Sequence, residues 1–275
     1  MASGDLTRIR TNIQALNALN ALKHINRQIN VHQLRLATGK RINSSGDDPA
    51  GLTIAKRLDA RARSLSQALS NVGESQNVLS VAEGGANNIQ ELLVQMREKV
   101  VQAANDTLGT SERNAIYSQL QELGSEIDQI VNQTTWNNNL LLTNSTMTFQ
   151  TGSERTDTTV FTVTGTFTSL ALLVNSLSVA TQGLASQSLV SIDNALNSVS
   201  SLLQGIGAKI QRLTVKENTV GTLYTNVEAA RSRIEDADVA KEQLEASKLL
   251  ILQQTATAML AQANVQPSSI LSLFQ

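Results

Sequence analysis

An apolar stripe with helical periodicity runs from about Asp48 to Asn105 and constrains the fold more than any other feature of the chain. Its members lie alternately three and four residues apart, with Gln76 in the one polar position, so one side of a continuous helix is apolar. The phase is kept across Gly84–Gly85, the weakest point. A helix of about 85 Å, at about 1.5 Å per residue, cannot bury this stripe against itself and needs long partner helices.

The chain supplies such partners. Helical stripes are predicted over residues 13–36, 116–130 and 189–234, and the last continues through Ala237 to Met259. With only two prolines in the chain, nothing between Pro49 and Pro267 forbids helix on proline grounds. We therefore expect a mainly α fold, in which three helices form a long antiparallel coiled-coil rod and the N- and C-terminal helices pair at one end.

The middle of the chain differs from the rest. Residues 144–169 are crowded with Thr, Val and Phe in loose alternation, which predicts one or two small hairpins packed on the helices and no other β structure. Residues 136–139 read as a turn, and residues 169–188 as a connector. The expected division is 1–47 with 236–275 as terminal helices and connector, and 48–235, including the β region 144–169, as the rod.

A turn-forming connector, TGKRINSSGDDPAG, links the first two helices. Asp48 is expected to cap the long helix, with Pro49 at its first position, where the missing N–H costs nothing. The pair of aspartates could also suggest a metal, but capping is the better interpretation because the segment has few other acidic residues. The residues singled out for this connector are Arg41, Asn43, Asp47, Asp48, Pro49 and Gly51.

Composition gives no indication of an enzyme, a cofactor or a metal. The chain has no cysteine, no nucleophile-elbow motif, and two histidines, His24 and His32, without nearby carboxylates, which are interpreted as polar interface residues. A net charge of −1 offers no general attraction to nucleic acid or anionic membrane. The apolar runs are too short to span a bilayer. Glu235, Asp236 and Asp238, near Arg231 and Arg233, are expected to form a solvated or intersubunit salt-bridge face.

The terminal helices indicate self-association. Leu249, Leu250, Ile251 and Leu252 face all sides of their helix, so one intramolecular partner cannot bury them all. We expect the two ends to be at most partly helical in the monomer and to order on assembly. A repeated contact that does not close yields a filament of identical subunits. The candidate assembly residues are Ile13, Leu16, Leu22, Ile25, Ile29, Leu244, Leu249, Ile251, Leu252, Met259, Leu260, Leu271 and Leu273.

Several long motifs, in the same order along the chain, resemble bacterial flagellin. They are the N-terminal TRIRTNIQALNALNAL, the connector LRLATGKRINSSGDDPAGLTIAKRL, the segment LVQMREKVVQAANDT, and the C-terminal EAARSRIEDADVAKEQLEASKLLILQQTATAMLAQANVQPSSILSL. The resemblance implies a short flagellin in which residues 144–188 stand where larger members carry variable outer domains. The terminal helices would line the channel of a hollow helical filament, and the rod would form its outer tube.

The resemblance also implies partners and a location. Besides other copies of itself, the chain would meet the flagellar export apparatus, an export chaperone, the filament cap and hook-junction proteins. It would reach the extracellular filament without a cleaved signal peptide, which agrees with the absence of an apolar signal core in MASGDLTRIRTN. Gln95, Arg97 and Glu98 lie where the family carries a surface read by a vertebrate Toll-like receptor; Arg97 and Glu98 match that pattern, whereas its first arginine and its leucine are not matched.

Two alternatives stay open at the level of sequence. A hook–filament junction protein shares the terminal helices but normally lacks so full a match over residues 41–51 and 228–263. A chemoreceptor-like signalling hairpin is also a long antiparallel coiled coil. It would need a membrane anchor and a tight hairpin tip, where this chain has a Thr-rich segment.

Overall fold

The computed structural model describes the backbone of residues 11–271 and the side chains as far as residue 265. Five helices account for most of this part of the chain. They are α1 (Ile13–Thr38), α2 (Pro49–Ala103), α3 (Thr110–Gln133), α4 (Gln182–Glu235) and α5 (Val239–Leu271). Four short strands lie between α3 and α4, so the expectation of a mainly α fold with a small β region is confirmed. None of the described helices is long and apolar enough to cross a membrane.

The long helix α2 is continuous through Gly84–Gly85, as the phase of its stripe predicts. Gly85 faces Thr134 at the end of α3, and a Cβ on Gly85 would collide with the threonine side chain. Glycine therefore permits a close approach between α2 and the end of α3. The sequence placed Gln76 in the one polar position of the apolar stripe, and this prediction was wrong. Ser75 is the fully buried polar residue instead, and its hydroxyl donates to the Asn71 carbonyl at 2.6 Å.

Two antiparallel hairpins follow α3. The larger pairs β3 (Ser145–Gln150) with β4 (Thr158–Val163) and lies inside the predicted β region. The smaller pairs β1 (Thr135–Trp136) with β2 (Asn139–Leu140), where the sequence was read as a turn only. Asn137 and Asn138 both adopt positive φ, as the primed two-residue turns of hairpins require, so the asparagine pair was the signal for it.

The helix α4 begins at Gln182, seven residues before the predicted start at Leu189. The extra turns are held by Thr181, whose hydroxyl accepts from the Leu184 N–H and whose carbonyl accepts from the Ala185 N–H. Ala185 is fully buried, so this serine-rich segment packs on the core rather than forming a loose connector. At the other end, the predicted stripe through Ala237 is interrupted, because α4 stops at Glu235 and α5 starts at Val239.

The chain divides into two compact units. One comprises the described parts of Met1–Ala60 and Asn226–Gln275, and the other comprises Arg61–Thr225. In the second unit, α2, α3 and α4 share a continuous apolar core with β4 and the segment that follows it. Within this unit α2 and α4 are antiparallel, since Arg97 pairs with Asp193 whereas Gln76 pairs with Glu217.

Candidate assembly interface on the terminal helices

In the first unit, α1 and α5 pack side by side in antiparallel orientation. Leu249, Ala256 and Ala263, spaced seven residues apart on α5, are buried in this pairing. Polar side chains tie the two helices together along their length. The Asn12 amide donates to the Ala263 carbonyl at 2.6 Å, and the Gln253 amide donates to the Asn26 side-chain oxygen at 2.7 Å. One face of α5 is therefore satisfied within the subunit.

A buried acid continues the same row of α5. Glu242 lies seven residues before Leu249, and its carboxylate contacts His32 Nδ1 at 2.5 Å and Arg35 Nη1 at 3.5 Å. Both partners project from α1. The interpretation of His32 as a polar interface residue agrees with this contact, but the statement that it has no nearby carboxylate was wrong. The pair could not be recognised from the sequence, because His32 and Glu242 are 210 positions apart.

Other faces of α5 are apolar and uncovered. Leu244 and Ile251, seven residues apart on the side opposite Leu249, are each 64% exposed. Leu252 and Met259, also seven residues apart, form a second exposed row at the edge of the pairing with α1. Because water contacts three leucine or isoleucine side chains here that a lone subunit cannot cover, these rows favour association.

The predicted assembly residues fall into distinct environments. Ile29 and Leu249 are buried between α1 and α5, and Leu22, Ile25 and Leu260 are half-buried. Ile13 and Leu16 on α1 are about half exposed, and Leu244, Ile251, Leu252 and Met259 on α5 are exposed. The side chain of Leu271 and all of Leu273 lie outside the described residues. The prediction therefore combined side chains that build the helix pair with side chains that the pair leaves free.

The connector is attached to the junction between α4 and α5. Gly39 ends α1 with a φ of 69°, a left-handed conformation that favours glycine. Its carbonyl accepts from the Ala237 N–H at 2.9 Å, and the Arg41 N–H donates to the Glu235 carbonyl at 2.7 Å. The Arg41 guanidinium donates to the Ile234 carbonyl at 2.8 Å. These bonds satisfy backbone groups that the break between the two helices would otherwise leave unpaired.

The second half of the connector is organised by two aspartates. Asp47 accepts from the backbone N–H groups of Asn43 and Ser44, and these hydrogen bonds hold the pKa of Asp47 below its usual value. Asp48 accepts from the Gly51 N–H at 2.9 Å and so caps α2, with Pro49 as its first residue. The space beside Gly51 is filled by Asp48 and Ile42, which leaves no room for a Cβ.

A charge cluster lies beside this connector. Glu235 is buried and contacts Lys40 Nζ at 2.5 Å and Arg231 Nη1 at 3.3 Å. Arg231 also pairs with Glu228 and, at 3.8 Å, with Asp59. The hydrogen bonds that Arg231 donates to Glu228, followed by the negative charges of Glu228, Glu235 and Asp59, raise the pKa of Arg231 above its ordinary value.

The acidic residues near the α4–α5 break therefore have different roles from those expected. Glu235 lies in an intramolecular cluster, not on a solvated face, and Asp238 caps α5 by accepting from the N–H groups of Ala240 and Lys241. Arg231 was expected beside these acidic residues, and its contact with Glu235 has the i, i+4 spacing that a helix brings together. Lys40 was not predicted, because Glu235 is 195 positions away from it in the sequence.

The other predicted surface lies in the second unit, on α2. Gln95, Arg97 and Glu98 are exposed, whereas Met96 between them is fully buried in the core. Arg97 Nε donates to Asp193 of α4 at 2.8 Å. In the part of the chain that the structure describes, no group of three or more His, Asp or Glu residues is placed to hold a metal ion.

The fold and the exposed rows of α5 define a class of mainly helical proteins with paired terminal helices, and solved structures show the same fold. A flagellin of Bacillus cereus aligns with a TM-score of 0.50 at 22% identity, over 59% of this chain and 94% of that one. A Vibrio parahaemolyticus protein described as a flagellar hook-associated protein aligns with a TM-score of 0.58 at 16% identity, over 69% and 100%.

Sequence comparison is more specific. Residues 9–147 match the profile of the bacterial flagellin N-terminal helical region, and residues 189–274 match the C-terminal helical region. The flagellin of Halalkalibacterium halodurans is 34% identical, over 97% of this chain and 99% of its own length. The flagellin of Bacillus subtilis is 34% identical over 98% and 100%, and a flagellar filament 33 kDa core protein of Treponema phagedenis is 30% identical over 97% and 99%.

The chain belongs to the bacterial flagellin family. It is accordingly a structural subunit of the bacterial flagellar filament, in agreement with the resemblance read from its motifs. The matches at both ends and over nearly the full length set aside the chemoreceptor-like alternative. The likeness to a hook-associated protein, at 16% identity, concerns the fold alone and does not favour the junction alternative.

Proposed function

We propose that the α1–α5 pair carries the contacts that build the filament, through the apolar rows that α5 leaves uncovered. The observation that carries this proposal is the opposite placement of Leu249, which is buried against α1, and Ile251, which is 64% exposed two residues later. Membership of a filament-forming family makes further copies of this chain the natural partners of those rows. Burial of each large apolar side chain stabilises the polymer by about 1.5–3 kcal/mol.

The connector has a supporting role in this proposal. Its backbone bonds to the α4–α5 junction and the buried Glu235 with Lys40 and Arg231 fix where α1 ends and where α5 begins. The pairing of His32 and Arg35 with Glu242 then sets the register of the two helices. A defined register places the free apolar rows in the same positions on every subunit, which a regular helical polymer requires.

The finer assignments rest on family resemblance. Residues 1–47 and 236–275 would form the inner tube, and residues 48–235, with the β region 144–169, the outer tube. The chain would leave the cell through the flagellar export apparatus without a cleaved signal peptide. An export chaperone would cover its C-terminal helix, and filament cap and hook-junction proteins would be its further partners. A structural role of this kind needs no catalytic residue and no cofactor.

We also propose that Gln95, Arg97 and Glu98 form the surface that corresponds to the receptor-binding site of the family. The side chains are exposed, and Arg97 is engaged by Asp193, so a receptor would have to compete with that pair or bind both partners. Since only Arg97 and Glu98 match the pattern read by the receptor, we expect weak activation of the vertebrate Toll-like receptor.

Deletion of residues 246–275 tests the main proposal. The truncated chain loses Ile251, Leu252 and Met259, three of the four residues in the exposed rows of α5, so we expect a soluble helical protein that does not polymerise. Circular dichroism would establish that the truncated chain retains its helices, and negative-stain microscopy under assembly conditions would look for filaments. Normal filaments formed by the truncated chain would refute the proposed role of α5.

A further inference from the structure

The methionines of this chain differ sharply in their access to solvent. Three of the four lie in the described part of the chain. Met96 is fully buried in the core of the second unit, and Met147 on β3 is half-buried. Met259 on α5 is 65% exposed. Oxidation of a methionine thioether follows its exposure, so Met259 is the first of the three that a small oxidant in water would reach.

The surroundings of Met259 determine what a more polar side chain at this position would contact. Met259 lines an open groove of about 600 Å³ between α1 and α5. Four alanines and three uncharged polar residues also line it: Ala18, Ala21, Ala256, Ala263, Gln14, Asn17 and Gln262. None of the described residues that line this groove is charged. The thioether also lies seven residues after Leu252, in the second exposed row of α5. A polar atom introduced at this position would therefore lie in an apolar row that a lone subunit does not cover.

We propose that Met259 is a redox-sensitive modification site that controls whether a free subunit can join the filament. The oxidant is a hydroperoxide. Its O–O bond breaks as the thioether sulfur forms a bond to one oxygen, and the oxygen that leaves takes up the proton of the transferred oxygen. The sulfur loses two electrons, and the hydroperoxide is reduced to the corresponding alcohol, or to water when the oxidant is hydrogen peroxide. The product, methionine sulfoxide, is a polar side chain in place of an apolar one.

This inference rests on the proposed role of α5 in subunit contacts. If the row of Leu252 and Met259 is buried on assembly, the sulfoxide must lose water when the subunit is added. Burial of a polar group without a full set of hydrogen-bond partners opposes the addition of each subunit. We expect a rise of about tenfold in the concentration needed for polymerisation, which corresponds to about 1.4 kcal/mol. Assembled subunits would be protected, because the same burial hides Met259 from the oxidant. The site therefore acts on subunits before assembly.

The test compares the full-length chain with the variant Met259→Leu, before and after treatment of the monomer with hydrogen peroxide. Peptide mass spectrometry measures sulfoxide at each methionine, and sedimentation measures the concentration needed for polymerisation. We expect Met259 to oxidise before Met96 and Met147, and the critical concentration of the treated wild type to rise about tenfold. Met259→Leu, which keeps an apolar side chain of similar size, should polymerise equally before and after treatment.

Two results would overturn the inference: treated wild type with oxidised Met259 that polymerises normally, or treated Met259→Leu that loses polymerisation as the wild type does. Untreated Leu252→Asp separates this failure from failure of the proposed function. If Leu252→Asp does not polymerise and oxidised wild type does, only the redox site is refuted. If Leu252→Asp polymerises normally, the role of this row of α5 is itself wrong, and the redox inference fails with it.

Discussion

At the scale of single residues, Leu173 adopts a conformation that leucine rarely takes. Its φ is 59°, in the left-handed region, while its side chain is 63% exposed. The surrounding segment is held from both sides: Ser169 is bound to Asp128 by two hydrogen bonds of 2.7 Å, and the Val174 N–H returns to the Ser169 carbonyl. The segment therefore fixes the backbone at Leu173 although the side chain itself gains little from burial.

Replacement of Leu173 by asparagine tests this interpretation. Asparagine accepts the left-handed conformation more readily than leucine, so Leu173→Asn should raise the free energy of unfolding by up to about 1 kcal/mol. Urea unfolding of the full chain measures the change. Leu170→Asn is the matched control, because Leu170 is equally exposed and is not among the residues with positive φ. Equal effects of the two substitutions would show that backbone strain is not the cause.

At the scale of elements, the neighbouring glycines of α2 differ in their surroundings. A Cβ at Gly84 would meet open space, whereas one at Gly85 would collide with the buried Thr134. Gly84→Ala should therefore stabilise the protein by about 1 kcal/mol through helix propensity alone. Gly85→Ala should destabilise it by about 1–3 kcal/mol through overpacking, although the substitution is chemically identical. Thermal unfolding measures both variants, and a stabilising effect of Gly85→Ala would contradict the close approach of α2 to Thr134.

The pairing of α1 with α5 depends on one buried acid. Removal of Glu242 leaves His32 and Arg35 without their shared partner, so Glu242→Ala should lower the free energy of unfolding by about 1–3 kcal/mol. Glu245→Ala is the control on the same helix. Glu245 is half-buried and pairs only with Lys248, three residues later on the same helix, among the ion pairs of the described residues, so its loss should cost less than the loss of Glu242. Equal losses for both variants in urea unfolding would exclude a special role for Glu242.

These elements also show how far sequence patterns reach. The three-four spacing of apolar residues predicted that α2 continues through two glycines, because this spacing can be read directly from the sequence. Asp48–Pro49 predicted the cap because a capping residue and its partners lie within one turn of helix. The start of α4 was missed because residues 182–188 are mostly glutamine, glycine and serine, and the burial of Ala185 among them depends on packing against a core that is distant in sequence. The hairpin at residues 135–140 had a local signal, Asn137–Asn138, which was read only as a turn.

The candidate site shows the same limit. Apolar residues of α5 were recognised from the sequence because four in a row cannot all face one partner. Which of them would be buried against α1 could not be read from the sequence, since it depends on the register set by Glu242 with His32 and Arg35. The contact of Lys40 with Glu235 was not predictable for the same reason, because the two residues lie 195 positions apart and only the folded chain brings them together.

At the scale of the whole molecule, the two units differ in how completely their apolar side chains are buried within one subunit. The stripe of α2 is buried together with α3, α4 and the hairpin segment, so the core of the second unit is complete within one subunit. In the first unit, α5 buries one row against α1 and leaves Leu244, Ile251, Leu252 and Met259 exposed. The core of the second unit is therefore complete within the subunit, whereas we propose that other copies of the chain cover the apolar rows of the first in the filament.

A cryo-EM reconstruction of sheared filaments is the measurement that tests this division most directly. We predict that the side chains of Leu244 and Ile251 contact neighbouring copies of the chain in the filament and lose most of their exposure to water. The pairing of Leu249 with α1 should be retained within each subunit. A filament in which Leu244 and Ile251 face solvent, with subunits joined only through the second unit, would contradict the proposed role of α5.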